Sequence, residues 1–189
     1  MIEVEIRGRL SEDEYIALRK TFAEKGRFIE HLEREMILLR GYPGYEESSL
    51  SRQMDIRLRN TNGRCEIMAK RNAGENNVGR EEISLELHDN TLETAKRMMK
   101  ALGFDGGLRM IRIMDLYEYE NIRWQVIATP KGLWYYEAEQ EANNDSEVSR
   151  IEQHLRSTAR SLGLSALQPH ELQEFNNLLD KEVNEEVMF

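Results

Sequence analysis

The chain has 189 residues, with 26 basic and 35 acidic side chains and a formal net charge of −9. This length predicts one domain with a buried core, and the acidic charge disfavours bulk binding to nucleic acid or to an anionic membrane. A single cysteine, Cys65, excludes an internal disulfide framework and a zinc site built from several cysteines. The sequence has neither an apolar run long enough to span a membrane nor an apolar leader core, so a cytoplasmic protein is expected.

The first forty residues predict a strand, a helix and further strands. Apolar and charged residues alternate over residues 2–9, which is typical of a strand with two unlike faces. Ser11 and Glu14 match a capping box ahead of an apolar stripe, so a helix is expected over residues 12–25. Two strand candidates follow within residues 27–40.

The middle of the chain predicts strands joined by short turns. Strands are expected at residues 54–59, 64–71 and 80–87, and turn residues predict loops at 41–49 and 72–79. The Asn62-Gly63 pair is a strong signal for a two-residue hairpin turn between the first two of these strands. A helix beginning at Asn90 or Thr91 follows, because apolar residues then recur with the helical period as far as Gly103.

The last part of the chain predicts three strands and two helices. The strands are expected at residues 108–119, 122–128 and 133–140. One helix is capped by Ser146 and ended by Gly163, and the other begins near Pro169. The acidic residues 182–186 are expected in a solvated, frayed end. About eight strands with hairpin-length connections predict an α+β protein with a mainly antiparallel sheet, as a barrel or as two facing sheets.

Charged residues alternate along several of these strands, and residues two apart share a face of a strand. The aligned sets are Glu3, Glu5 and Arg7; Asp55, Arg57 and Arg59; Glu66, Met68 and Lys70; Arg80, Glu82, Ser84 and Glu86; and Glu137 and Glu139. A solvated sheet face is the ordinary explanation of such alternation. The acidic pairs, however, lie on the first and last strands, whereas the arginines and the lysine lie on the middle ones.

An inward-facing charged lining is the alternative to a solvated face. Burial of unpaired charges is strongly unfavourable, so such a lining would have to be wet and bind a charged ligand. Clustered arginine and lysine suit phosphate oxygens, and clustered carboxylates suit Mg²⁺ or Mn²⁺. Together they indicate a polyphosphate ligand bound with a divalent metal ion.

Short motifs in the same order resemble those of the CYTH superfamily, the triphosphate tunnel metalloenzymes. Glu3-Val-Glu-Ile-Arg7 is similar to the Glu-x-Glu-x-Lys signature, Ile56-Arg57-Leu58-Arg59 to the LRxR strand, Ile67-Met68-Ala69-Lys70 to the strand ending in Lys, Arg80-Glu81-Glu82 to the R-x-E strand, and Glu137-Ala138-Glu139 to the closing E-x-E. Arg109 and Arg112 fall where the family carries basic residues on a later strand, and Leu162-Gly-Leu resembles part of its C-terminal ending.

The resemblance implies an antiparallel eight-stranded sheet closed into a tunnel, with the helices packed outside. Residues 1–142 would form this tunnel domain, and residues 143–189 would be C-terminal helices that complete the same domain. The metal, Mg²⁺ or Mn²⁺, would be held by Glu3, Glu5, Glu137 and Glu139. The triphosphate would be bound by Arg7, Arg57, Arg59, Lys70, Arg80, Arg109 and Arg112. Glu82 and Arg7 would be the catalytic residues, with Glu82 orienting a nucleophile or supporting the metal ligands.

The resemblance also implies a reaction and a partner. The expected activity is hydrolysis of the terminal phosphoanhydride of inorganic triphosphate, thiamine triphosphate or a nucleoside triphosphate. The alternatives are a class IV-like adenylate cyclase, which releases cyclic AMP and diphosphate, and a non-catalytic phosphate- or nucleotide-binding module. The partner would be a triphosphate-containing small molecule, with no nucleic acid or membrane. The C-terminal helices would either cover a mouth of the tunnel or form the surface of a homodimer.

Three departures from the family pattern bear on the reaction. Arg7 stands where lysine is usual, and its guanidinium cannot deprotonate. Residues 126–131 contain no acid, although the family has an Asp on the strand before its closing Glu-x-Glu. Residues 36–42 lack the usual Asp-x-Tyr-Phe. These departures favour hydrolysis over cyclisation and keep a non-catalytic binder open.

The other conspicuous side chains are assigned to packing or to the surface. Cys65 is expected as a buried thiol, and Trp124 and Trp134 are expected to pack within the protein. Three methionines are expected to fill the core: Met98, Met99 and Met110. The four histidines lack metal-ligand spacing and are expected at the surface or in turns: His31, His88, His154 and His170.

Overall fold

The computed structural model describes residues 2–42, 45, 53–73, 79–88 and 91–189. The strands are β1 (Ile2–Leu10), β2 (Arg27–Leu39), β3 (Met54–Thr61), β4 (Arg64–Ala73), β5 (Gly79–Leu87), β6 (Gly106–Tyr119), β7 (Ile122–Ala128), β8 (Trp134–Ala142) and β9 (Glu185–Met188). The helices are α1 (Glu12–Lys25), α2 (Leu92–Ala101), α3 (Asp145–Ser161) and α4 (Pro169–Leu178), and α4 continues into a π-helical turn, Leu179–Val183. Most of the loops predicted at 41–49 and 72–79, and the helix start at Asn90, lie outside the described residues.

The strands form one sheet in the order β2-β3-β4-β5-β1-β8-β7-β6-β9, and β2 also pairs with β6. All of these pairings are antiparallel. The β2–β6 pairing runs nearly the whole length of β2, with a bulge between Phe28 and Glu30. The β1–β5 pairing rests on two residue pairs, Glu3–Arg80 and Val4–Gly79. The predicted α+β class with a mainly antiparallel sheet is confirmed.

Local sequence signals account for the elements that were predicted most closely. The capping box of α1 is present: the Ser11 hydroxyl accepts from the Glu14 amide at 3.3 Å, and the Glu14 carboxylate accepts from the Ser11 amide at 2.7 Å. Asn62 and Gly63 have φ angles of 49° and 86°. Both lie in the left-handed region that a type I′ hairpin turn requires, so the hairpin prediction is confirmed.

Several predicted boundaries are wrong. The two strand candidates within residues 27–40 form the single strand β2. Asn144 caps α3 instead of Ser146, because the Asn144 Oδ1 accepts from the Ser146 amide at 3.1 Å.

The prediction that Met98 fills the core is also wrong. Met98 is 57% exposed on α2, whereas Met99, one residue further, is buried in the core as predicted.

The C-terminal end is an ordered strand instead of a frayed tail. β9 pairs with β6 from Gly106–Met188 to Arg109–Glu185. Val187 packs against the core cluster that contains Ile37 and Leu39. The acidic side chains in this stretch are partly neutralised, because Glu186 pairs with Arg40 at 2.8 Å and Glu185 with Arg109 at 3.3 Å. These contacts explain why a charged segment is held on the sheet.

Helices α1, α2 and α3 pack on one face of the sheet, called the outer face here. Leu18 and Phe22 of α1 and Leu155 of α3 share a core cluster with Val4 and Trp124. A second outer cluster joins α2 to β2, β3 and β4: Ile37, Leu39, Leu58, Cys65, Leu92, Ala95 and Met99. Trp124 is fully buried and Cys65 is 3% exposed, so packing is confirmed for both.

Helix α4 departs from the expectation that all helices pack outside. Phe175 of α4 and Leu179 of the π-helical turn pack with Leu32 and Met114. Leu32 and Met114 lie on the other face of the sheet, which is called the inner face here. This face surrounds a cavity that both side chains line. The C-terminal segment therefore forms part of the cavity wall, through Leu172, Asn176 and Leu179 among others. Among the described residues, no helix is long and apolar enough to cross a membrane.

Candidate functional site

The inner face of the sheet surrounds a cavity of about 510 Å³. Its basic lining residues are Arg7, Arg34, Arg57, Arg59, Arg64, Lys70, Arg112 and Arg123. Its acidic lining residues are Glu3, Glu5, Glu30, Asp55, Glu66, Glu82, Glu137, Glu139 and Asp180. Since alternate residues of a strand share a face, the charged sets of β1, β3, β4 and β8 enter the same space. The charged faces therefore turn inward instead of forming a solvated exterior.

Four predicted metal ligands lie on the adjacent strands β1 and β8. Glu5 pairs in register with Glu139, and Arg7 with Glu137. Burial, followed by the negative charges of Glu3, Glu5 and Glu137, raises the pKa of Glu139 to about 8. Burial likewise raises the pKa of Glu137, against the opposing effect of Arg7. Such a cluster of partly buried carboxylates would gain from a bound cation.

The strand β7 places an amide beside these carboxylates. Gln125 pairs in register with Glu137, and its Nε2 donates to Glu139 Oε2 at 3.1 Å. The Gln125 Oε1 is buried and accepts no hydrogen bond from the described residues. The inner-face residues of β7 are otherwise Arg123 and Ile127, so this strand adds an amide oxygen but no carboxylate. Carboxylate and amide oxygens form a donor set that fits Mg²⁺ or Mn²⁺.

Protein cations occupy the spaces between the carboxylates as they stand. The Lys70 ammonium pairs with Glu3 and lies 3.7 Å from Glu5. The Arg7 guanidinium pairs with Glu137 and, at 3.1 Å, with Glu5. Within the described ranges, no three His, Cys, Asp or Glu side chains are arranged ready to hold a metal ion. A cation that took the place between Glu3, Glu5 and Glu137 would displace Lys70 and Arg7 from these contacts.

The predicted phosphate-binding residues are ion-paired in the same way. Arg57 pairs with Asp55 at 2.5 Å, and Arg59 pairs with Glu66 at 2.6 Å and with Glu82 at 3.1 Å. Burial opposes the charge of Arg59, but the hydrogen bond to Glu66 and the charges of Glu82 and Glu66 raise its pKa overall. If a phosphate chain bound here, these arginines would exchange their carboxylate partners for phosphate oxygens.

Ten of the predicted site residues are brought together in this cavity: Glu3, Glu5, Arg7, Arg57, Arg59, Lys70, Glu82, Arg112, Glu137 and Glu139. Arg109 is not among them. It lies on the outer face, where its Nε donates to Glu35 at 2.6 Å, because it is three residues from the inward-facing Arg112. The backbone of Arg80 pairs with that of Glu3, and the side chain of Arg80 is not among those that the structure describes.

Arg34 is a cavity residue that the sequence analysis missed. It lies in β2, opposite Arg112 of β6, and its Nε donates to Thr61 Oγ1 at 3.1 Å. Charged residues occupy both faces of this part of β2, since Glu33 and Glu35 flank Arg34. Without clean alternation the inward face could not be assigned. The bulge in β2 adds to the difficulty.

Comparisons with known proteins identify the fold. No family model matches the sequence, and no curated protein matches it. The PH1819 protein of Pyrococcus horikoshii matches with a TM-score of 0.73 and 20% identity, over 92% of this chain and 99% of that one. A protein of Vibrio parahaemolyticus, proposed to be an adenylate cyclase, matches with a TM-score of 0.65 and 14% identity, over 89% and 94%.

A third solved structure extends this likeness. A Hippeastrum protein, described as a proposed adenylyl cyclase with a dominant triphosphatase activity, matches with a TM-score of 0.56 and 15% identity. The match covers 96% of this chain and 99% of that one. At such identities the likeness shows the fold alone. This fold is shared with solved proteins that are described as proposed adenylate cyclases, as the resemblance in the sequence predicts.

Proposed function

We propose that the sheet is closed into a tunnel that binds a triphosphate-containing small molecule with Mg²⁺ or Mn²⁺ and hydrolyses its terminal phosphoanhydride. The observation that carries this proposal is the convergence of a partly buried carboxylate cluster and a set of arginines and a lysine on one cavity. The pairing of β2 with both β3 and β6 supports closure of the sheet. Neither group of charges is needed to stabilise a sheet, whereas both suit a polyphosphate with its cation.

The proposal assigns a role to each group of side chains. Glu3, Glu5, Glu137 and Glu139, with the Gln125 amide oxygen, would hold the cation, which supplies positive charge to the phosphate oxygens when bound. The phosphate chain would be bound by Arg7, Arg57, Arg59, Lys70 and Arg112, and Arg80 would join them. These fixed charges would stabilise the charge that develops as the terminal P–O bond breaks.

Glu82 is the proposed water-orienting residue. It lies on the inner face of β5, and one of its oxygens accepts from Arg59 at 3.1 Å. This contact would hold the carboxylate in place while it accepts a hydrogen bond from the attacking water. Water would attack the terminal phosphorus in line with the leaving oxygen, which yields phosphate and a diphosphate. Arg7 would act through its charge, because a guanidinium stays protonated near neutral pH and cannot serve as a base.

A thermal-shift series tests the proposed function. The full chain would be heated with and without Mg²⁺ or Mn²⁺ in the presence of inorganic triphosphate, thiamine triphosphate, ATP or AMP, and the wells would then be assayed for products. A metal-dependent rise in melting temperature with a triphosphate but not with AMP, together with released phosphate, is the expected result. No rise with any triphosphate would contradict the proposal.

The same assay separates the two alternatives. A cyclase would release diphosphate and cyclic AMP from ATP, whereas a non-catalytic binding module would be stabilised by the ligand and release nothing. Hydrolysis is preferred because one protein of the same fold is described as having a dominant triphosphatase activity. A homodimer in the cytoplasm remains part of the proposal, and the molecular mass in solution would test the dimer.

Arg57→Ala should weaken triphosphate binding about tenfold or more, and monophosphate binding less, because a long phosphate chain uses more of the basic lining. Dissociation constants for inorganic triphosphate and inorganic phosphate, measured with metal present, would check this expectation. Arg71→Ala is the control, since that exposed arginine on β4 pairs with Glu81 and does not line the cavity. If the affinities for triphosphate and for phosphate fell equally, the expectation that Arg57 contributes more to binding of the longer anion would be wrong.

A further inference from the structure

Apart from the exposed Arg64, two arginines of the cavity lining have no carboxylate paired with their charge. Arg34 and Arg112 are opposite one another on β2 and β6. Neither forms an ion pair with a carboxylate of the described residues, whereas Arg7, Arg57 and Arg59 each pair with at least one. Two guanidinium groups on one wall of the cavity without a direct counter-charge are unfavourable unless an anion binds there.

Arg112 is held rigidly by neutral acceptors. Its Nε donates to the Tyr135 hydroxyl at 2.9 Å, its Nη1 to the Ile111 carbonyl at 2.8 Å, and its Nη2 to the Asn184 Oδ1 at 2.9 Å. The residue is only 3% exposed. Asn184 is fixed in turn by a hydrogen bond from its Nδ2 to Asp180 at 2.8 Å. Arg112 therefore contributes a fixed positive charge with restricted access.

Arg34 is the more accessible of the two. Its single hydrogen bond to the described residues is that from Nε to Thr61, so both of its terminal nitrogens keep their donors for another partner. Burial and then the positive charge of Arg59 lower the pKa of Arg34, and the negative charges of Glu137, Glu139 and Glu66 offset this only in part. The charge of Arg34 is thus only partly compensated by the carboxylates around the cavity.

Aliphatic side chains lie on both sides of this arginine pair. Leu32 pairs with Met114 on one side, and Met36 pairs with Met110 on the other. Leu32, Met36 and Met114 are buried and line the cavity. Apolar neighbours keep water away from the guanidinium groups, so their attraction for an anion is less screened than at a wet surface.

We propose that Arg34, supported by the fixed charge of Arg112, forms an anion position that takes a phosphoryl group without needing the divalent cation. A planar guanidinium with free terminal donors matches the paired oxygens of phosphate. The inference rests on the proposed function, because it identifies the anion as a phosphoryl group of that substrate or the phosphate released from it. It separates the cavity into a metal-dependent part at β1 and β8 and a metal-independent part at β2 and β6.

Calorimetric titration of the full chain with inorganic phosphate in the presence of EDTA tests this position. Wild-type protein should bind phosphate, Arg34→Gln should bind it about tenfold or more weakly, and Arg34→Lys should recover part of the affinity. Arg27→Gln is the matched control on the same strand, because Arg27 is exposed and pairs with Glu118. Its phosphate affinity should equal that of the wild type.

A second readout separates ligand binding from a structural role. Without ligand, Arg34→Gln should melt at the same temperature as the wild type or higher, because a poorly compensated charge is removed. A clear fall in melting temperature, absence of phosphate binding by the wild type at millimolar concentration, or equal binding by Arg34→Gln would overturn the inference. If triphosphate with Mg²⁺ still stabilises the wild type in that case, the proposed function stands. If phosphate binds through Arg34 but no triphosphate gives a metal-dependent effect, only the proposed function fails.

Discussion

Glu139→Gln should reduce metal-dependent phosphate release by about 100-fold or more, since replacing even an indirect partner of a metal site costs about 10- to 100-fold. Glu139 lies between Glu5 on the neighbouring strand and Gln125, which donates to it at 3.1 Å. Glutamine keeps the size of the side chain but removes the charge that a cation would require. Steady-state phosphate release with and without Mg²⁺ or Mn²⁺ would measure the loss.

The same substitution should stabilise the unliganded protein at pH 8. Burial and three neighbouring carboxylates raise the pKa of Glu139 to about 8, above the ordinary value near 4.5. Between these two pH values the folded protein binds more protons than the unfolded chain, so the free energy of unfolding falls as pH rises. Glutamine does not ionise and removes this loss, so the variant should gain on the order of 2 kcal/mol at pH 8 and little at pH 4.

Melting curves from pH 4 to pH 8 in EDTA would measure the stability difference for Glu139→Gln. Glu33→Gln is a suitable control, because Glu33 lies exposed on β2, outside the residues that line the cavity. That control should change neither phosphate release nor the pH dependence of stability. A Glu139→Gln variant with full metal-dependent activity would show that the carboxylate cluster is not the metal site.

Phe175→Ala should lower the free energy of unfolding by about 3–5 kcal/mol, because it removes a large buried aromatic side chain. Phe175 is 2% exposed, and its ring lies 5.4 Å from that of Tyr135 in an edge-to-face arrangement. The Arg9 guanidinium stacks on the Phe175 ring at 5.4 Å. The melting temperature should fall by about 10 °C or more for a chain of this length.

The Phe175 substitution also tests how α4 is attached to the inner face of the sheet. His170→Ala, on the exposed side of the same helix, should change the melting temperature by no more than about 2 °C. Since Tyr135 accepts the hydrogen bond from Arg112, phosphate affinity should fall in Phe175→Ala but not in His170→Ala. Unchanged stability of Phe175→Ala would mean that α4 does not pack against the cavity wall.

Period-two alternation was enough to group most of the site residues. In β1 and β3, and over residues 136–139 of β8, charged and apolar residues alternate, so Glu3 with Glu5, Arg57 with Arg59, and Glu137 with Glu139 could be placed on shared faces from local geometry alone. The same rule could have corrected one error. Arg109 and Arg112 are three residues apart in one strand, so only one of them could face inward.

Other features needed contacts between distant parts of the chain. Arg34 enters the cavity because β2 pairs with β3 on one side and with β6 on the other. β9 is ordered because Arg40 and Arg109, distant in sequence, pair with its carboxylates. Neither strand alternates in a way that indicates which face is buried. Their places depend on partners that no local pattern specifies.

The sequence by itself determined the strand and helix types, the hairpin turn at Asn62-Gly63 and the shared faces of the charged residues, because these depend on neighbours within a few positions. It did not determine whether those faces meet solvent or one another. The tertiary structure decided that point: helices α1, α2 and α3 cover the outer face, and antiparallel pairing turns the charged faces toward a common cavity. The inward direction follows from burial of the apolar outer face, which only the packed chain can provide.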